Sequence, residues 1–249
     1  MGAVEIEQIK SVLPKKNLNP EIWERCDEEA SLDMCLREDV RDSLVRIAHE
    51  FFIYLGIKVP ILDITLTGSL ANYNWTSESD IDLHILIDYE DVDENREFVT
   101  ELLSAKKSLW NEKHDIRVKG HEVELYAQDA KESHHSTGVY SVLEDVWVRI
   151  PEKMKATIDI VGVRKKTASM MKLIDHTLNS PNRLIAIDSI KDKIKKMRQA
   201  GLERAGELSI ENLTFKILRR TGYLEKLYTI GREDFDKSLS LQQENLKTQ

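Results

Sequence analysis

Two aspartates one residue apart, Asp80 and Asp82, stand at the head of an apolar run, "DIDLHILID". On a strand, side chains at i and i+2 point to one face. Two carboxylates held that close repel each other, and the strand needs a compensating cation. Oxygen-only donors favour a hard divalent ion, Mg2+ above all, with Mn2+ able to substitute. Ile81 and Leu83 point the other way and can anchor the strand in a core. Upstream, Gly68-Ser69 is followed by a ten-residue spacer that ends at Ser79. A glycine at a strand exit lets the backbone come close to a phosphate. The next amides, at a helical start, can hold phosphate oxygens, and Ser69 adds a hydroxyl. If the strand ending at Gly68 neighbours the strand starting at Asp80, an NTP would bridge the loop and the metal.

A third carboxylate would complete a site for two ions. The alternating stretch "HEVELYA" supplies Glu122 and Glu124 on one face. Glu124, flanked by Val123 and Leu125, is the first choice and Glu122 the second. Its role would be to hold a metal and activate an attacking hydroxyl. Within the spacer, Asn72 and Tyr73 are candidates for the nucleotide pocket, while Trp75 is equally explained by packing on its own loop. His84 shares the face of Asp82 and reads as a structural hydrogen-bonding residue. His134 and His135 lack acid or cysteine partners at ligand spacing, so they read as loop or substrate-contact residues.

These residues need elements to position them. The stretch 61–68 is β-branched and alternating, and with 80–87 and 121–127 it predicts three strands. Residues 116–118 form a hairpin partner turning at Lys119-Gly120, and 138–150 a hairpin turning near Glu144-Asp145. Helices are predicted over 4–13, 20–30, 38–55, 92–113, 152–178, 183–200 and 211–228. In the third of these Val40, Leu44, Ile47, Ala48, Phe51 and Phe52 recur at helical spacing, and Gly56 ends it. In 92–113 the apolar stripe reads Phe98, Leu102, Leu103, Leu109. The fold class is α+β: a small mixed β-sheet domain flanked by helices over 1–151, then a helical domain over 152–249.

The chain has 249 residues, of which 41% are hydrophobic and 32% charged, as a globular protein requires. No apolar run reaches the roughly 18 residues of a membrane span. The N-terminus lacks the apolar segment of a secretory signal, and Ile6 spoils a myristoylation pattern. Cys26 and Cys35 do not form a C-x-x-C pair and read as reduced, buried thiols in a cytoplasm. The net charge of −8 divides unevenly: residues 1–152 hold 16 Lys and Arg against 32 Asp and Glu, and residues 153–220 hold 16 against 7. The basic clusters are Arg164-Lys165-Lys166, with Lys172 after it, and Lys191 to Arg198. Lys165 and Lys172 are candidates to contact a triphosphate, or the cluster an RNA acceptor. A site between the acidic sheet and the basic helices would fit that split.

Gly-Ser, a spacer, Asp-x-Asp in an apolar strand and a lone later acid together resemble the DNA polymerase β-type nucleotidyltransferase superfamily. The resemblance covers about 60 residues, Leu66 to Tyr126, and rests on Gly68, Ser69, Asp80, Asp82 and Glu124. It implies a short mixed sheet flanked by helices, two Mg2+ ions, and transfer of a nucleoside monophosphate from an NTP such as ATP with release of pyrophosphate. The third acid departs from the pattern, being Glu where Asp is common. The regions "HHSTGVYSV" and "NLTFKILRRTGYLEKL" are similar to uncharacterised nucleotidyltransferases predicted in tailed-phage genomes, which implies a host cytoplasm. The acceptor is open: an RNA 3′ end, a protein hydroxyl, a nucleotide or a small molecule. No recognition of a DNA sequence and no membrane association is expected. The alternative is a catalytically silent nucleotide- or partner-binding protein, an inhibitor or toxin–antitoxin component. A nuclease ranks last, since Gly-Ser has no task there.

Overall fold

The alternation of the central strands decides the architecture. In Ile81–Ile87 every second residue (Ile81, Leu83, Ile85, Ile87) is fully buried, while Asp82, His84 and Leu86 are only half-buried. Such a strand has one apolar face for a core and one face free for chemistry. The computed structural model describes residues 6–26, 34–132, 136–153, 158–181 and 183–240. It is an α+β structure with two compact units, residues 14–154 and residues 155–249 together with 1–13.

In the first unit, six strands form a mixed sheet in the order β5-β6-β4-β3-β7-β8. They are β3 (Asp63–Thr67), β4 (Ile81–Ile87), β5 (Arg117–Val118), β6 (His121–Asp129), β7 (Val139–Ser141) and β8 (Val146–Arg149). β3 and β4 are antiparallel, whereas β4 and β6 are parallel. The parallel pairing requires a crossover, which α3 (Arg96–Lys113) supplies. β5 and β6 form a tight hairpin in which Lys119 and Gly120 both have positive φ, at 51° and 82°, as a two-residue mirror-image turn requires.

α2 (Glu38–Leu55) buries Val40, Leu44, Ala48, Phe51 and Leu55, and Gly56 caps it in the left-handed conformation. α3 starts at an Asn95 cap and buries Val99, Leu103 and Trp110. The expected stripe is therefore a step out of phase: Phe98 and Leu109 are about half exposed. Phe, Val, Leu, Ala and Trp all occur in this helix, and its packing against β6 chooses the inward set. Trp110 rests edge-on against Phe51 of α2, ring centroids 5.5 Å apart.

The stretch 20–30 is not a helix where it is described. Trp23–Arg25 is β1, paired antiparallel with β2 (Met34–Leu36). Trp23 is buried against the rings of Tyr140 and Trp147, at 5.0 and 4.6 Å, and this aromatic packing outweighs the helix-start signal of Asn19-Pro20. The same hairpin corrects the cysteines: Cys26 and Cys35 are joined in a disulfide, with Cα atoms 5.6 Å apart. Pairing of Glu24 with Cys35 brings together two residues whose spacing matches no cysteine motif. Joined in this way, the two cysteines give no support to a reducing compartment, since disulfides persist in oxidising ones. Among the described residues no helix is long and apolar enough to cross a membrane.

The second unit is helical: α1 (Ile6–Ser11), α4 (Ile160–Leu178), α5 (Arg183–Ala205), α6 (Ile210–Arg220) and α7 (Tyr223–Leu239). Its core draws Ile174 from α4, Ile187 and Ile194 from α5, Ile217 from α6, Leu227 from α7, and Ile9 and Val12 from the N-terminal segment. α4 begins at an Asp159 cap, later than the expected residue 152. The single helix expected over 211–228 is two, because Gly222 adopts φ 74° and turns the chain.

One buried acid ties α4 and α5 to α6. Glu211 accepts from Lys166 at 2.6 Å and from Arg204 at 2.9 Å. The Lys166 ammonium first, then a bond to its own backbone amide and the Arg204 guanidinium, hold its carboxyl down at about 2, against an ordinary 4.5. A carboxyl lowered on folding stabilises above its unfolded value and loses that contribution as pH falls through the folded one. Glu211→Gln is expected to lower stability by about 2 kcal/mol at pH 7. In acid titration followed by circular dichroism, the gap between the proteins closes between about pH 4.5 and 2. A gap constant over that range would exclude the carboxylate as its source.

Candidate active site

Pairing across three strands builds the site. β3 and β4 set Thr67 opposite Asp82 and Thr65 opposite His84. β4 and β6 set Asp82 opposite Glu124 and His84 opposite Tyr126. Residues opposite one another share a face, so Thr67, Asp82 and Glu124 form one row and Thr65, His84 and Tyr126 the next. The residues between them, Leu66, Leu83 and Leu125, are fully buried on the other face. Asp82 and Glu124 therefore meet as like charges across a parallel pair, backed by an apolar core. Asp80 precedes the strand and is half-buried.

Gly68 lies directly on this row. Its φ is 71°, and a Cβ built on it would fall 1.8 Å from Asp82 Oδ2 and 2.7 Å from its carboxyl carbon. Glycine is required here twice, by the backbone conformation and by the carboxylate that fills the space of a side chain.

The spacer is a braced loop. Ser69 donates to Ser79 Oγ at 2.7 Å, closing its two ends, and Ser79 Oγ also accepts the Thr76 amide. His121, buried, bridges Ser79 O at 2.6 Å and Asn19. Asn72 is buried; it donates to Gly68 O at 2.6 Å and accepts from Thr137 at 2.7 Å. Trp75 donates to Asn17 O, and Trp23 to Leu70 O. Gly138 allows this packing, since a Cβ there would meet Ala71 O at 2.0 Å. Asn72 thus ties the loop to residues 136–138.

Glu122, the second choice for the third acid, sits opposite Arg117 in the hairpin, with Oε2 3.6 Å from its guanidinium. Glu124 accepts a short hydrogen bond from the Tyr126 hydroxyl. Tyr126 stacks on His84 at 4.6 Å, and His84 Nδ1 lies 2.7 Å from Gln128 Oε1. Burial, then the bond to Glu124, push the phenol far above its ordinary pKa, so it stays a donor. Lys107 from α3 places its ammonium 3.7 Å from the Tyr126 ring centroid. Burial pulls its pKa down, and Glu124 and Asp82 oppose that pull.

Lys107 and Tyr126 were not foreseen among the site residues. Tyr126 carried a signal, since it stands two residues from Glu124 on the same strand face. Lys107 carried none, because only the packing of α3 on β6 brings it there. Lys165 and Lys172 are exposed on α4 of the helical unit. His134 and His135 lie outside the described residues.

The donor set can be tested against a metal. Asp82 and Glu124 are adjacent, Asp80 is two residues away, and all are oxygen donors of the kind hard dications take. As the side chains stand, no three ligating groups converge among the described residues; Glu124 is turned to Tyr126 instead. The acids fit a divalent ion in kind and register, and Glu124 must leave the phenol to complete the set.

No protein-family model matches the chain, and no curated protein does. Among solved structures it is similar to the STING-associated CdnE c-di-GMP synthase from Capnocytophaga granulosa. That match has 11% identity, covers 82% of this chain and 84% of that chain, and has a TM-score of 0.21. A likeness so shallow carries no argument about this chain, and the resemblance to phage proteins gains no support from it.

Proposed function

We propose that the chain is a metal-dependent nucleotidyltransferase acting at the Asp80, Asp82, Glu124 face. The observation that carries this reading is the row Thr67–Asp82–Glu124 with Gly68 on its carboxylate. Acids facing each other across paired strands are destabilising, and a bound cation offsets that cost. Bound Mg2+ would neutralise the charge of the reacting phosphate and polarise it. Asp80, Asp82 and Glu124 would hold it. Gly68 brings backbone close to the row, and the amides after it with the Ser69 hydroxyl would bind the NTP phosphates. The acceptor oxygen forms a bond to the α-phosphorus, the bond from that phosphorus to the bridging oxygen breaks, and pyrophosphate leaves. The hydroxyl proton passes to Glu124, which the Tyr126 hydroxyl holds in this structure and releases before the reaction.

The test is pyrophosphate release from each NTP with Mg2+, in the presence of RNA, protein or small-molecule acceptor fractions. Wild type is expected to release it and Asp80→Ala/Asp82→Ala not to. Binding of NTP without release from any fraction would favour the silent binding protein. Unchanged release in the double variant would remove these acids from the reaction.

Lys107 adds a prediction that does not depend on turnover. Its ammonium sits where the acids attract a cation, so it competes with a dication for their field. Lys107→Met keeps the stem over Tyr126 and removes the charge. Mn2+ affinity is expected to rise roughly fivefold, about 1 kcal/mol, read by titration of the paramagnetic signal. An unchanged or weaker affinity would show that Lys107 does not bear on the metal.

A further inference from the structure

A second site lies in the helical unit. A cavity of about 440 Å3 opens between α5 and α7, lined by Asp188 and Lys191 of one helix and Tyr228, Arg232 and Phe235 of the other. Tyr228, Arg232 and Phe235 occur at i, i+4 and i+7 and form one stripe. The two rings stand two turns apart, roughly 10 Å along the axis. Both are about half exposed, Tyr228 at 53% and Phe235 at 54%. Their aromatic faces are open to a stacking partner.

The charges between them are placed for an anion. Lys191 is mostly buried, its ammonium 5.3 Å from the Tyr228 ring centroid and 3.5 Å from Asp188 Oδ1. Arg232 is exposed on the same stripe and has no ion pair to another described residue. Four other cations of this unit are held in ion pairs: Lys166 and Arg204 to Glu211, Arg183 to Asp234, Lys196 to Asp192. Gly231 forms the floor. A Cβ there would meet Lys191 Nζ at 2.8 Å and Ile187 Cγ2 at 2.9 Å. A glycine in mid-helix costs about 1 kcal/mol against alanine, and here it gives Lys191 room to lie across the helix. Asp188, largely exposed at the rim, is an acceptor for hydroxyl or amino groups.

We propose that this groove is a binding site for a mononucleotide. The base would stack on Tyr228 or Phe235, the phosphate would lie between Lys191 and Arg232, and Asp188 would accept from the sugar. The cavity matches the size of one such ligand and has a partner for each of its three parts. This site is independent of the acid face.

The full chain is titrated with AMP by calorimetry, beside adenosine and ribose 5-phosphate. AMP is expected to bind more tightly than either fragment. Lys191→Met/Arg232→Gln is expected to weaken it at least about tenfold, as loss of charge-assisted contacts to phosphate implies, and Phe235→Ala to weaken it severalfold. Lys237→Gln, a charge lost from another side of α7, should leave it unchanged. Circular dichroism confirms that each variant is folded. Binding lost in Asp80→Ala/Asp82→Ala but kept in Lys191→Met/Arg232→Gln would overturn the proposal and place the nucleotide on the sheet. Equal affinity for ribose 5-phosphate would overturn the stacking and leave a phosphate site. Absence of saturable binding would overturn it outright.

Discussion

Asp82→Asn is expected to abolish nucleotidyl transfer, by about a thousandfold or more, while leaving the protein at least as stable. The two effects separate because the residue faces Glu124 across a parallel pair with its apolar neighbours buried. Asparagine keeps the shape against Gly68 and the hydrogen-bonding oxygen, so packing survives. What it loses is the charge that binds a dication, and transition-state stabilisation of several kcal/mol is what such an ion supplies. Meanwhile one of two facing like charges is gone. Such pairs are worth about 0.2–1 kcal/mol, so the melting temperature should hold or rise slightly. Activity by pyrophosphate release and stability by thermal denaturation are read on the same preparation. Activity within tenfold of wild type would refute the proposed role. A large drop in stability would instead make Asp82 a structural residue.

Gly68→Ala is expected to damage both stability and activity. A left-handed conformation costs a non-glycine residue about 1–2 kcal/mol. The overlap with Asp82 Oδ2, 1.8 Å from the new Cβ, cannot be tolerated without moving the carboxylate or the loop. Together the loss should reach about 3 kcal/mol. Displacement of a reacting group by about 1 Å costs roughly a hundredfold in rate, and that loss should persist in the folded fraction. A double-mutant cycle isolates the clash. In an Asp82→Ala background the carboxylate is absent, and the penalty of Gly68→Ala should fall to the conformational part, about 1–2 kcal/mol. An equal penalty in both backgrounds would mean that loop and carboxylate do not touch.

Much of the positioning was legible because it is local. Alternation marked β4 and β6, and a period of two placed Asp82 and Glu124 on outward faces whatever the register. Helical spacing with a glycine stop gave α2 within its observed bounds. Where the signal depended on a partner, it failed. Trp23 reads as a helix residue until Tyr140 and Trp147 are beside it. Cys26 and Cys35 read as separate thiols until β1 pairs with β2. Phe98 reads as an inward residue until α3 settles on β6 and Val99 takes the buried side. Gly222 is a local signal of the opposite kind: its left-handed turn separates α6 from α7.

The sequence by itself determined the α+β class, the strands that carry the acids, and the glycine at the exit of β3. Each follows from the periodicity or chemistry of neighbours in the chain. Only the tertiary structure decided that Asp82 meets Glu124, while Glu122 meets Arg117, and that Gly68 rests on the carboxylate. It also brought Lys107 and Tyr126 to the acids and turned Asn72 inward to brace the loop. Those are matters of register and packing angle. A shift of one residue in pairing would turn every side chain of a strand to the other face, and nothing within a single strand says which neighbour it will find.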